Sequence, residues 1–220
     1  MKILVISDTH LSLPFEEKKY EFLKKIISRA DSVILCGDFW EGYEITFDEF
    51  LASPWKGLFP LLKARNAIYL FGNHDQKKFS DQRADIFSVK QIQSYVIQEN
   101  GKSYFFEHGN RLCTFFDETL PFRLPRIWGT VTEAIVKYGT RTYQKKFIKI
   151  VHERFNRVIK KKMHHIPENG ILFTGHTHFA EKDLKNRYVN TGFIKYGLAQ
   201  FVILEGGRIE SLEEWYDPPV

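Results

Sequence analysis

The 220-residue chain carries only two cysteines, Cys36 inside an apolar run and Cys113 near a polar motif, and no CxxC pair. That scarcity argues against a disulfide framework and a thiolate metal site, and both residues read as buried free thiols of a reducing compartment. No apolar run approaches the roughly 20 residues that a membrane-spanning helix needs. The opening stretch from Met1 to Asp8 meets charge too soon for the apolar core of a signal peptide, so it reads as a buried strand. The expectation is a cytoplasmic protein, with contact to a membrane surface left open. Internal repeats and low-complexity tracts are also lacking. What is present is ordinary for a folded domain: 43% hydrophobic and 27% charged residues, with twenty phenylalanines and ten tyrosines. The length suits one sizeable core, so residues 1–220 read as a single domain. A net charge of +5 points to an anionic partner without choosing among metabolite, nucleic acid and lipid.

Short apolar runs at Ile3 to Ile6, Ser32 to Cys36, Ala67 to Phe71, Tyr104 to Phe106 and Ile171 to Phe173 each end in a polar segment, the pattern of buried strands with functional loops. Between the first two, Phe15 to Arg29 places Phe15, Phe22, Leu23, Ile26 and Ile27 at helical spacing. Strand, helix, strand implies a right-handed crossover and an α/β fold. Tyr188 to Asn190, Ala199 to Leu204 and Arg208 to Leu212 read as further strands of a second, partly antiparallel sheet. One stretch breaks the alternation. From Trp128 to Met163 apolar residues recur mostly four apart, which predicts a helical insertion at about 117–165 with Gly139 as its break. Between Arg141 and His165 it holds nine Lys or Arg against one acidic residue, Glu153.

In open α/β sheets ligands bind beyond the carboxyl ends of the strands, so the polar segments are expected to converge. They are Asp8-Thr9-His10, Gly37-Asp38, Gly72-Asn73-His74-Asp75, His108-Gly109 and Gly175-His176-Thr177-His178. Singly, each histidine reads as an ordinary polar side chain; five such segments in a chain of eight histidines read as one dinuclear metal site. Oxygen and nitrogen donors without thiolate favour manganese first, with zinc, iron, cobalt or nickel as alternatives. Two ions about 3.5 to 4 Å apart hold a hydroxide between them and two phosphoryl oxygens, which suits displacement at phosphorus. Asp38 is the natural carboxylate to lie between them.

The ordered set of these motifs resembles the calcineurin-like metallophosphoesterases. The resemblance implies a four-layer α/β/β/α sandwich, one metal held by Asp8, His10, Asp38 and His178, and another by Asp38, Asn73, His108 and His176. It also implies His74 as acid or transition-state stabiliser, oriented by Asp75. Gly37-Asp38-Phe39-Trp40-Glu41-Gly42 and His108-Gly109-Asn110-Arg111-Leu112-Cys113-Thr114 are similar to segments of the UDP-diacylglucosamine pyrophosphohydrolases of lipid A synthesis. That similarity implies a phosphodiester or pyrophosphate bond in a small or lipid-linked nucleotide as the substrate. A nuclease or cyclic-nucleotide phosphodiesterase uses the same chemistry and is the alternative, with a non-catalytic scaffold as a third.

The insertion has two readings. Lys145, Lys146, Lys149, Arg154 and Arg157 are either a solvated face or the cationic side of a substrate lid that meets a second phosphate or a membrane surface.

Overall fold

A computed structural model describes residues 1–114 and 126–219, apart from the side chains of 126–133 and 145. Part of the expected insertion, 117–125, and the Lys145 side chain therefore lie outside the described residues.

Strand β1 (Lys2–Ile6) runs parallel to β2 (Ser32–Cys36), and α1 (Glu17–Ser28) crosses between them. α1 buries Phe22, Leu23, Ile26 and Ile27 of the predicted stripe, while Phe15 precedes the helix and packs against the same core half-buried. α2 (Phe47–Ala52) starts in a capping box between Thr46 and Glu49, and α3 (Phe59–Ala64) follows a 3-10 turn. Strands β3 (Ile68–Leu70) and β4 (Lys90–Ile92) extend the parallel set.

Among the described residues the second sheet has five strands: β5 (Ser94–Glu99), β6 (Lys102–Glu107), β7 (Gly170–Thr174), β8 (Glu181–Asp183) and β9 (Tyr188–Asn190), in the order β5-β6-β7-β9-β8. After it come β10 (Ile194–Lys195), β11 (Leu198–Glu205) and β12 (Arg208–Trp215). Here the expectation is corrected in part. β9 joins the second sheet, but β11 pairs antiparallel with β1, so the final hairpin extends the first sheet. Alternating hydrophobicity marks a strand without naming its partner.

The two sheets face each other across Val5, Ile34, Cys36, Leu70, Phe106, Phe173 and Val202. α1, α2 and α3 cover the outer face of the first, around Leu23, Leu35, Trp55 and Tyr69. The outer face of the second is covered by α4 (Arg126–Lys162), whose Ile159 packs with Leu172 and Tyr188. The architecture is the four-layer α/β/β/α sandwich.

α4 departs from helical geometry at Gln144 (φ 50°, ψ −134°) and not at Gly139. Gly139 serves packing: a Cβ there would collide with the Phe147 ring, which lies against the helix at that point. Beyond Gln144 the helix belongs to the folded body, with Ile148 in a cluster with Phe179, Phe193 and Leu198. This half of the stretch is a layer of the sandwich.

Candidate metal centre

Parallel pairing brings the carboxyl ends of β1, β2 and β3 to one edge, and β6 and β7 end at the facing edge. The loops are then laced together: Asp8 N–H donates to Gly37 O (3.1 Å), His10 N–H to Asp38 O (2.9 Å) and Gly175 N–H to His108 O (3.0 Å). All five predicted segments meet there.

Asp8, His10, Asp38, His176 and His178 all have positive φ, between 43° and 67°. Non-glycine residues adopt that region at a cost, and such strain collects at sites of function. Close approach also demands glycine at Gly72, where a Cβ would overlap Asp38, and at Gly175, where it would overlap Asp8 and Ser7.

The donor atoms form two overlapping groups. His178 Nε2 lies 3.1 Å from Asp8 Oδ1 and 3.4 Å from His10 Nε2. Asn73 Oδ1 lies 3.0 Å from both His108 Nε2 and His176 Nδ1. Asp38 Oδ2 stands between the groups, 3.1 Å from His108 Nε2 and 3.8 Å from His10 Nε2.

The outer partners say which nitrogens bear protons. His10 Nδ1 donates to Glu41 Oε2 (2.8 Å), His108 Nδ1 to the Cys36 carbonyl (3.0 Å) and His176 Nε2 to the Cys113 carbonyl (2.6 Å). In the neutral ring the opposite nitrogen of each then presents a lone pair to the centre. Asp8 Oδ1 is buried and, among the described residues, accepts no hydrogen bond, although His178 Nε2 is near. Lone pairs gathered around an orphaned carboxylate oxygen need a cation, and separations of 3.0 to 3.4 Å suit neighbouring ligands on metal bonds of about 2.1 Å. The residues fit a metal ion.

The electrostatics agree with crowded burial. Burial works against charge on His108, yet the Asp38 carboxylate overrides it and holds the imidazole up at about 10. His74 is treated alike: burial opposes its proton, while Asp38 and the bond to Glu41 raise it to about 9. Burial raises Asp38, but His108 and His74 hold it well below the usual carboxylate range. Burial and the neighbouring His108 push His176 down to about 3.

His74 reaches the site through the loop after β3, and its backbone N–H donates to Asp38 Oδ1 (2.8 Å). The expected orienting role of Asp75 is corrected by its contacts. Its carboxylate accepts from Gly72 N (2.7 Å), Asp38 N (3.0 Å) and Phe39 N (2.7 Å), so it ties the β2 and β3 loops together. The carboxylate on His74 is Glu41, whose Oε1 accepts from Nδ1 at 2.7 Å. The sequence assigns Glu41 no role, although it stands three residues beyond Asp38 in the segment Gly37 to Gly42 that carries the resemblance.

Comparison with known sequences decides the family, since the model of the calcineurin-like phosphoesterases matches residues 1–180. The chain belongs to that family. This phosphoesterase is accordingly a metal-dependent enzyme acting on phosphoester bonds. None of the curated proteins matches it. Among solved structures it is similar to an archaeal phosphodiesterase, at 18% identity over 97% of this chain and 100% of the other, with a TM-score of 0.48. It is also similar to Vacuolar Protein Sorting 29 from Cryptosporidium parvum, at 14% identity over 97% and 96% of the two chains, with a TM-score of 0.43.

Two further residues come from the helix that the phosphoesterase lays against its second sheet. Asn156 is fully buried; its Oδ1 accepts from Thr177 Oγ1 (2.5 Å), Tyr188 OH (2.9 Å) and Asn190 Nδ2 (3.2 Å), and its Nδ2 donates to Phe179 O (2.9 Å). His152, one turn earlier, lies beside His178. Both were hidden in a helix read for its apolar stripe and its charge.

Proposed function

We propose that this phosphoesterase binds two divalent ions and hydrolyses a phosphodiester or pyrophosphate bond. Asp8, His10, Asp38 and His178 hold one ion, and Asp38, Asn73, His108 and His176 the other. The single observation that supports this division is Asp38 Oδ2, within 3.8 Å of lone-pair nitrogens from both groups. When bound, the ions supply Lewis acidity toward the phosphoryl oxygens and activate the attacking water. Manganese is the first choice for this donor set.

His74 is the acid. Glu41 engages Nδ1, which leaves Nε2 to protonate the leaving oxygen, and the proton held there by Asp38 and Glu41 suits that role. Asp75 supports catalysis indirectly by fixing the loop that carries Asp38.

Small or lipid-linked nucleotides are the substrate class we favour. The exposed basic residues Lys146, Lys149, Arg154 and Arg157, with exposed Ile150 beside them and exposed Ile135, Tyr138 and Tyr143 before the Gln144 break, support contact with an anionic headgroup or a membrane surface. Among the described residues no helix is long and apolar enough to cross a membrane. A panel of monoester, diester and pyrophosphate substrates, each assayed with manganese, zinc and magnesium, tests the reading. Diester or pyrophosphate turnover with manganese is expected; activity confined to simple monoesters overturns the substrate class.

A further inference from the structure

The insertion helix meets the metal centre at His152, whose ring centroid lies 5.9 Å from that of His178 with 38° between the planes. Its Nδ1 is buried and has no hydrogen-bond partner among the described residues. A buried N–H without an acceptor is the rarer defect, so the unpaired atom is the lone pair and the ring proton resides on Nε2. His152 is thus a neutral donor next to the site. It is not one more ligand: the donor groups close enough to share an ion include His178 and, among the described residues, leave His152 out.

Two facts separate this arrangement from packing. A phenylalanine at 152 would fill the place without burying an unpaired polar atom, so the imidazole costs stability that folding alone does not require. Its position is also fixed independently, because Asn156, four residues on and on the same helix face, is bonded to the strands and turn that carry His176 and His178.

We propose that His152 is a substrate-contacting residue, donating from Nε2 to an oxygen of the phosphate ester bound at the centre. This rests on the phosphoesterase reading of that centre. The bond forms with the ground state and the transition state alike, so it acts mainly on KM. The helix thereby takes part in substrate binding at the reacting group, in addition to any contact its exposed face makes.

Two variants test it. His152→Phe keeps a ring and removes the donor; His152→Gln keeps an amide N–H near the place of Nε2. The readouts are affinity of the manganese-loaded protein for a singly charged phosphonate analogue of a phosphodiester, in which a methylene group replaces the scissile oxygen, kcat and KM on bis(p-nitrophenyl) phosphate, metal content and Tm. For His152→Phe, phosphonate affinity and kcat/KM should each fall about 10- to 100-fold, as expected for a hydrogen bond to a charged group. Metal content should hold, Tm should hold or rise, and His152→Gln should recover most of the loss in affinity and kcat/KM. Wild-type affinity in His152→Phe overturns the proposal, as does an equal loss in both variants or a loss that follows metal content. A wild-type chain that neither binds the phosphonate nor turns over the ester overturns the hydrolase reading instead, and that is seen before any variant is made.

Discussion

Glu41 is divided between two imidazoles: Oε2 accepts from His10 and Oε1 from His74, whose rings stand 4.6 Å apart, edge to face. One carboxylate therefore orients a proposed metal ligand and the proposed acid together. A glutamine can accept from only one of the two N–H groups. Glu41→Gln should weaken metal binding about 10- to 100-fold, the range for loss of an orienting carboxylate, and lower kcat as well. Adding His74→Ala should then cost less than it does in the wild type. Metal titration and the kinetic double-mutant cycle check both, and full additivity would separate the two roles.

His74→Ala, by contrast, should keep its metals and lose about 10²- to 10⁴-fold in kcat, as general-acid catalysis predicts. A p-nitrophenyl leaving group needs little protonation and should be spared. Equal losses on aryl and alkyl diesters would leave His74 an electrostatic role only.

Asp38→Ala removes the oxygen shared between the donor groups, so activity should vanish and bound metal should drop from about two ions per chain. Elemental analysis of both proteins decides it. Equal metal content would mean that Asp38 does not bridge.

Metal binding should release protons. His108 is held up at about 10, so near neutral pH the metal-free chain carries a proton that an incoming ion must displace. Because the proton is bound below that value, metal affinity should rise as pH rises through 7 to 9 and level off near 10. Calorimetry at pH 7 in buffers of different ionisation heat should register the release. An affinity that is flat with pH, with no buffer dependence, would mean that His108 is already neutral.

Asn156→Ala takes the acceptor from the Thr177 hydroxyl and the donor from the Phe179 carbonyl in the interior, and leaves Tyr188 OH with Thr174 and Asn190 alone. The cost should be about 3 kcal/mol, typical of a broken buried network. For a chain of this size that is a fall in Tm of about 6 to 12 °C by thermal melt. An unchanged melt would mean that the helix is held by its apolar contacts alone.

Every proposed ligand was legible in the sequence, because each sits at the end of an apolar run and parallel pairing sends those ends to one edge. The residues that orient the ligands were less so. Glu41 lies in a loop whose path no periodicity records, and Asp75 was adjacent to His74 in sequence while its carboxylate faced the backbone of Phe39. The break falls at Gln144 and not at the expected Gly139, since a glycine that admits a neighbouring ring looks the same in sequence as one that ends a helix. The partner of β11 was likewise beyond reach, because pairing depends on where the chain has already been.

That pairing also sets the order of assembly during synthesis. β1 is an interior strand, with β2 on one side and β11 on the other, and Val5 must wait for Val202. Asp8 directly follows β1, and its backbone carbonyl accepts from Ile194 N–H (3.2 Å). The centre therefore draws on both extremes of the chain, and a ribosome-bound fragment ending before β7 holds Asp8, His10, Asp38, Asn73 and His108 but neither His176 nor His178. Partial products of translation or proteolysis that end before β7 would lack two of the proposed ligands, His176 and His178.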